Sequence, residues 1–351
     1  MDSKIDSKNE VPILKNKIGL EKKDYAGGAS TLCTGCGHDQ ITNHIISAFY
    51  GLDIDPYDVA KMSGIGCSSK TPGYFMNKSF GFNSMHGRMA AVSTGAKIAN
   101  HRLTHIGMSG DGDSISIGLG GFCHVIRRNL PLVYVVANNG VYGLTKGQFS
   151  ATSYKDSTLK SGEKNPFETI DICTLAIDLG CTFVARSFSG DAKQLVPLLQ
   201  AAIKHHGTAV IDVISPCVTF NNHDGSTKSF SWVKEHDVSL QELGFIEATE
   251  AVNVDYEEGS VELIDMPDGS KLKIKKLVSR EHDVHSRLAA MKVLYESKAN
   301  GELLTGLFFI DENQKNLIEV LELPQQSLAS FQGMDLRPND LSFKKIMTNF
   351  S

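Results

Sequence analysis

The chain has 351 residues, 41% hydrophobic and 21% charged, enough apolar material for one large α/β domain or for an ordinary domain with an extension. A net charge of -5 gives no general attraction to phosphate backbones, so nucleic acid is not an expected partner. No apolar run reaches the length of a membrane span and the N-terminal stretch has no apolar core like that of a signal peptide, so a cytoplasmic protein without membrane contact is expected.

Residues 1–30 read as a polar arm. From 31 to 235 the pattern alternates between helix and strand: a helix over 41–49, a strand over 58–63, a helix over 90–99, a strand over 104–108 and a helix over 115–128. Strands over 131–137 and 182–187, a helix over 192–205 and a strand over 208–214 complete the series. The run 132–137 is apolar throughout, as a strand buried on both faces should be. This alternation predicts an α/β fold, a doubly wound, mostly parallel sheet. Residues 236–351 differ and read as a C-terminal α+β extension suited to subunit contact. It holds a hairpin whose strands, 260–264 and 271–277, flank Met266-Pro267-Asp268-Gly269, a helix over 285–297, a strand over 306–310 and a helix over 314–321. The basic run 271–276 belongs to that hairpin, because its lysines alternate with apolar residues. The tail beyond has little periodicity.

Seven cysteines in a reducing compartment do not suggest a disulfide framework. Cys123, Cys173 and Cys181 lie in apolar segments and read as small core residues. Cys33, Cys36, Cys67 and Cys217 lie in glycine-rich or turn contexts, where metal ligands are presented; from the cysteines alone, structural zinc and iron–sulfur are about equally suited. A second pattern is Gly110-Asp111-Gly112-Asp113 followed, across a helix and a buried strand, by Asn138-Asn139. A glycine turn from strand to helix aims backbone N–H groups and a helix N-terminus at a diphosphate. Asp111 and the amide oxygen of Asn139 are hard donors for Mg²⁺, and the carbonyl of Val141 can complete the protein's share. Gly-Asp-Gly or Asn-Asn alone is a common turn or loop, and only their spacing carries weight. The motifs at 64–67, 110–113, 138–139 and 215–217 follow predicted strands, and in an open parallel sheet the carboxyl ends of the strands share one ligand-binding edge.

Together with Cys33-Thr34-Gly35-Cys36-Gly37, Gly64-Ile65-Gly66-Cys67-Ser68, His86-Gly87-Arg88, 143–148 (Gly-Leu-Thr-Lys-Gly-Gln) and Ser215-Pro216-Cys217-Val218, these motifs make residues 30–236 resemble the β subunit of 2-oxoacid:ferredoxin oxidoreductases. The stretch from Phe220 to His236 is similar to the branch that uses 2-oxoglutarate. The resemblance implies that Cys33, Cys36, Cys67 and Cys217 hold a 4Fe-4S cluster and that Asp111, Asn139 and Val141 hold Mg²⁺. It implies thiamine diphosphate contacts at Gly37, His38, Ile65, Gly66, Ser68, His86, Gly110, Gly112, Asp113, Asn139, Gly143 and Leu144. Lys70, Lys146 and Arg88 are its substrate-pocket candidates. The bland readings are a helix cap for His38, a structural ion pair for Arg88 and solvated loop lysines for Lys70 and Lys146.

The activity so implied is oxidative decarboxylation of a 2-oxo acid, 2-oxoglutarate first, to an acyl-CoA with ferredoxin as electron acceptor, reversible in principle. Pyruvate or a branched-chain 2-oxo acid is the alternative substrate. Thiamine enzymes need a carboxylic acid on the aminopyrimidine and a second domain to hold that ring, and only one diphosphate-type domain is recognisable here. The resemblance therefore implies half an active site, completed by an α (or fused γα) subunit that brings most CoA contacts, in a dimer of heterodimers. Two rivals remain at this stage. A non-redox thiamine decarboxylase would have no use for the four cysteines, and a zinc-stabilised binding protein would have none for Asp111 and Asn139.

Overall fold

The structure is a computed structural model that describes residues 14–159, 161–215, 217–219, 237–239, 261–265, 271–275, 282–300, 302–333 and 335–350. Its strands are β1 (Val59–Ser63), β2 (Phe80–Asn83), β3 (Thr104–Gly110), β4 (Leu132–Asn138), β5 (Val141–Tyr142), β6 (Gln148–Phe149), β7 (Phe183–Phe188), β8 (Thr208–Ile214), β9 (Asp237–Ser239), β10 (Val261–Asp265), β11 (Lys271–Lys275) and β12 (Leu303–Ile310). Eight of them form one sheet in the order β2-β1-β3-β4-β8-β7-β12-β9. The six from β2 to β7 run parallel, β12 lies antiparallel to β7, and β9 is parallel to β12. The expected α/β sheet is thus the observed one, and two strands from the C-terminal segment, β12 and β9, are built into it.

Helices cover both faces. On one side lie α1 (Gly37–Gly51) and α5 (Ala192–Lys204), whose Ile41, Ile45, Phe49, Leu195 and Leu199 meet Val133, Val135, Ile211 and Val213 of the sheet. On the other lie α2 (Met89–Ala99), α3 (Leu119–Arg127), α4 (Ile172–Asp178) and α6 (Arg287–Ala299), whose Met89, Phe122, Ile126, Ile177 and Leu294 meet Met62, Leu132, Tyr134 and Val136. Successive residues of β4 alternate between the two cores, which is why the strand carries only aliphatic and aromatic side chains before Asn138, the Tyr134 hydroxyl bonding Ser114 at 3.0 Å. Each fully buried Val, Leu or Ile there contributes roughly 1.5–3 kcal/mol by leaving water.

Several elements depart from the periodicity. The helix read over 115–128 opens as a π-helical turn, Gly112–Ile117, and becomes α3 only after Gly118. Gly118 marks that joint because its N–H bonds to the Asp113 carbonyl at 2.9 Å, and a Cβ there would meet the same oxygen at 2.6 Å. Strand β2 was not legible, since it is a four-residue edge strand with all its residues exposed. Helix α4 was missed as well, being only seven residues long, and the aperiodic tail contains a helix, Asp340–Thr348, with no buried residue. The helix read over 314–321 shrinks to Leu317–Val320, whereas the strand read over 306–310 lengthens into β12. The hairpin forms as expected, with β10 antiparallel to β11. The 2-oxoglutarate-like stretch 220–236 lies outside the described residues.

Candidate active site

Strands β1, β3, β4 and β8 are consecutive neighbours in the sheet, and each carboxyl end runs into one of the sequence motifs: 64–67, 110–113, 138–139 and 215–217. The α1 N-terminus, directly after Cys36, closes onto the same edge. A Cβ on Gly37 would stand 2.6 Å from Ser215 Oγ and 2.7 Å from Ser189 Oγ, and one on Gly110 would stand 2.8 Å from Ser68 Oγ. Backbone approaches this close tolerate only glycine. They bring segments from five places in the chain around one cradle.

Asp111, 1% exposed, is the most constrained of the expected Mg²⁺ ligands. Its Oδ2 accepts hydrogen bonds from Ser150 Oγ and, at 2.6 Å, from Thr152 Oγ1, and its Oδ1 lies 3.4 Å from the Asn139 N–H. The Asn139 amide oxygen accepts the Val141 N–H at 3.1 Å and so folds the 139–141 loop over Asp111. Asp111, Asn139 and Val141 therefore belong to one hydrogen-bonded loop cluster. Ser150 and Thr152 were not legible in the sequence: Ser150-Ala151-Thr152 has no motif, and the β5–β6 hairpin must fold back before either hydroxyl meets Asp111.

Asp113 faces the other way. Its carboxylate accepts the N–H of Ile65 at 3.2 Å and of Gly87 at 2.7 Å, accepts from Ser109 Oγ, and is paired with His86 Nδ1. It therefore fastens the Cys67 turn and the His86 loop to the 110–113 turn. Tyr142 closes the group, its hydroxyl donating to the Gly112 carbonyl at 3.0 Å while its ring sits edge-on to His86 with centroids 6.3 Å apart.

His38, on the first turn of α1, is 3% exposed, and among the described residues neither ring nitrogen has a hydrogen-bond partner. Burial lowers its pKa to about 4 despite the opposing charge of Asp111, so the ring is neutral. Buried polar atoms without partners are rare, and two on one ring beside Asp111 suit a polar ligand that completes the cradle. Thiamine diphosphate with Mg²⁺ fits this edge on the same grounds: hard oxygen donors from Asp111 and Asn139, glycine turns at the strand ends, and an incompletely satisfied imidazole.

The four cysteines gather at one side of the cradle. Thr219 Oγ1 lies 3.5 Å from Cys33 Sγ, which joins the 33–36 turn to the segment after Cys217. Burial pushes the Cys36 thiol up to about 11, with Cys217 and Cys33 adding to the effect, and Cys67 is raised by burial and by Cys217 while Lys70 opposes. Cys36 and Cys67 thus both sense Cys33 and Cys217, and soft sulfur donors in one neighbourhood suit iron. Among the described residues no three His, Cys, Asp or Glu side chains stand in a preset metal-binding arrangement. Cys173 and Cys181 are fully buried in the core, and Cys123 is half-buried. Lys70, Lys146 and Arg88 are all exposed, and among the described residues none has an ion pair. Lys146 and Leu144 sit on the turn between β5 and β6, Lys146 with φ of 79°. Arg88 is the N-cap of α2.

Residues 63–213 match the family described as thiamine pyrophosphate enzyme, C-terminal TPP binding domain, and the fold and cradle are those of a thiamine diphosphate-binding domain. Among curated relatives, the chain is 45% identical over 194 residues to the 2-oxoacid:ferredoxin oxidoreductase 1 subunit beta of Aeropyrum pernix, which covers 55% of this chain and 60% of that subunit. It is 37% identical over 213 residues to the 2-oxoglutarate synthase subunit KorB of Methanocaldococcus jannaschii, covering 59% of this chain and 78% of that one. A solved 2-oxoglutarate:ferredoxin oxidoreductase from Magnetococcus marinus, with 2-oxoglutarate, coenzyme A and succinyl-CoA bound, superposes with a TM-score of 0.74 at 28% identity over 96% of this chain and 98% of the other. The chain belongs to the β-subunit family of the 2-oxoacid:ferredoxin oxidoreductases. Its match spans about three fifths of the Aeropyrum subunit. Among the described residues no helix is long and apolar enough to cross a membrane.

Proposed function

We propose that this chain is the thiamine-binding half of a cytoplasmic enzyme that oxidatively decarboxylates 2-oxoglutarate to succinyl-CoA and passes the electrons to ferredoxin. Support comes from the four neighbouring strands whose loops bring Asp111, Asn139, Cys67 and Cys217 to a single edge. The 2-oxoglutarate reading draws on the names of the Methanocaldococcus and Magnetococcus relatives. Thiamine diphosphate supplies an electron sink for decarboxylation and a 4Fe-4S cluster a one-electron exit. Asp111, Asn139 and the Val141 carbonyl would hold Mg²⁺, and Cys33, Cys36, Cys67 and Cys217 the cluster.

The chain's own groups divide the remaining work. The turns at Gly37, Gly66 and 110–112 would present backbone N–H groups to the diphosphate. His38, buried and neutral, can donate one hydrogen bond and accept another without bringing in charge. Lys70, Lys146 and Arg88 would be the cations for the substrate carboxylates. Cys33 is exposed while Cys36 is buried, a gradient that would put one side of the cluster near the surface, where an external electron carrier can approach. Residues 31–235 carry the cofactors in this reading and 236–351 serve subunit contact, with β12 tying the two through the sheet. The α (or fused γα) partner supplies the aminopyrimidine-side carboxylic acid, and two such pairs form the complex.

The test is an anaerobic assay of the chain with its partner, CoA and a viologen dye, offering 2-oxoglutarate or pyruvate. Faster dye reduction with 2-oxoglutarate is the expected result. Preference for pyruvate would reassign the substrate, and no reduction with any 2-oxo acid would overturn the reading.

A further inference from the structure

We infer that Thr152 is a positioning residue for the Asp111 carboxylate, held in place by a buried hydrogen-bonded chain that ends on Arg186. The inference rests on the reading of Asp111 as a Mg²⁺ ligand and extends it to residues that no motif marks. Burial alone does not orient a carboxylate, because its terminal torsion is broad. At Asp111 the hydroxyls of Ser150 and Thr152 both point at Oδ2, which leaves Oδ1 turned toward the 139–141 loop.

What distinguishes Thr152 from Ser150 is its own support. Its Oγ1 lies 3.0 Å from Asn138 Oδ1. The orientation of that amide follows from chemistry: Asn138 Nδ2 lies 2.9 Å from Asp212 Oδ1, a carboxylate that can only accept, so the nitrogen faces Asp212 and the oxygen faces Thr152. Asp212 Oδ2 in turn accepts from Arg186 Nε at 2.8 Å, and Arg186 also pairs with Asp171. Thr152, Asn138, Asp212 and Arg186 are all at most 5% exposed. Burial works against the Arg186 charge, but Asp171, Cys173 and Asp212 outweigh it and hold the guanidinium firmly protonated.

The fixed charge at one end thus sets the amide, and Thr152 Oγ1, whose single proton lies between the acceptors Asn138 Oδ1 and Asp111 Oδ2, ties the carboxylate to that amide. Asn138 extends the same control to the cysteine side, because its carbonyl accepts the N–H of Ser215, two residues before Cys217. Hydrogen-bond partners of metal ligands commonly govern affinity about 10- to 100-fold.

The experiment measures thiamine diphosphate retained at equilibrium dialysis across a Mg²⁺ series, using the full chain purified with the subunits it assembles with. Thr152→Val should raise the half-saturating Mg²⁺ concentration about tenfold or more, and Thr152→Ser, which restores the hydroxyl, should return it to within about threefold of the parent. Thr182→Val removes an equally buried hydroxyl, one bonded to Asn129 at 2.8 Å at the opposite end of the strands, and should leave the Mg²⁺ dependence unchanged. Should Thr152→Val not fold, Thr152→Cys, with a weaker donor of similar size, is expected to shift the dependence in the same direction. Parent-like behaviour of Thr152→Val, a Ser variant as weak as the Val variant, or an equal shift in Thr182→Val would overturn the inference while leaving the thiamine reading standing. Retention by the parent that does not depend on Mg²⁺ would overturn the Asp111 assignment itself.

Discussion

Asp111 and Asp113 are two residues apart on one turn and do different work because their oxygens meet different donors. Hydroxyls hold one side of Asp111 and leave the other toward Asn139, whereas Asp113 is surrounded by the Ile65 and Gly87 amides, Ser109 and His86. Replacing Asp111 by alanine should therefore abolish binding of Mg²⁺ and thiamine diphosphate while iron content stays near the parent level, since the proposed ligand sets share no residue. Acid-released thiamine diphosphate, quantified by chromatography beside an iron assay, checks this, and full cofactor occupancy in the variant would remove Asp111 from the site. The place of Asp111 on a strand-end turn was legible because Gly-Asp-Gly after an apolar run marks such a turn. The partners of Asp113 were not, because a carboxylate's acceptors are filled by whichever loops the fold delivers.

At the level of elements, the cradle is a set of turns held at fixed separations by glycines. Gly64 is the tightest case: a Cβ there would overlap the Asp113 carboxylate, which is already clamped by four donors. Gly64→Ala should force that carboxylate off its loops and cost about 1–3 kcal/mol, as overpacking does. Denaturant melts of parent and variant without added cofactor measure the cost, and an unchanged midpoint would mean that the turn can shift freely. The π-helical turn at Gly112–Ile117 belongs to the same design, since it widens the backbone where Asp113 must reach both 65 and 87. Periodicity over 115–128 indicated a helix but could not register one residue of extra winding, which side-chain patterning does not encode.

Across the whole molecule, the candidate site residues stand at the carboxyl edge of the sheet while the opposite edge carries the buried His105. His105, at the start of β3, is 2% exposed, and burial, helped by the nearby Lys97 charge, lowers its pKa from 6.5 to about 4. The unfolded chain therefore binds a proton below about pH 6.5 that the folded chain refuses until about pH 4, and stability falls as pH drops through that window, by roughly 3 kcal/mol from this residue. Chemical denaturation at pH 7 and pH 5 should show the loss, and His105→Gln should flatten it; an identical slope in the variant would contradict the assignment. The sequence by itself determined the sheet class, through alternating periodicity and the wholly apolar run 132–137, and it named the candidate turns, because the glycine, aspartate and cysteine motifs recur after successive predicted strands. Only the tertiary structure decided that β1, β3, β4 and β8 stand side by side, that Asp113 binds loops, and that Thr152 reaches Asp111. Strand order and hairpin return are settled by which faces bury together over long sequence separations, and local pattern carries no record of that choice.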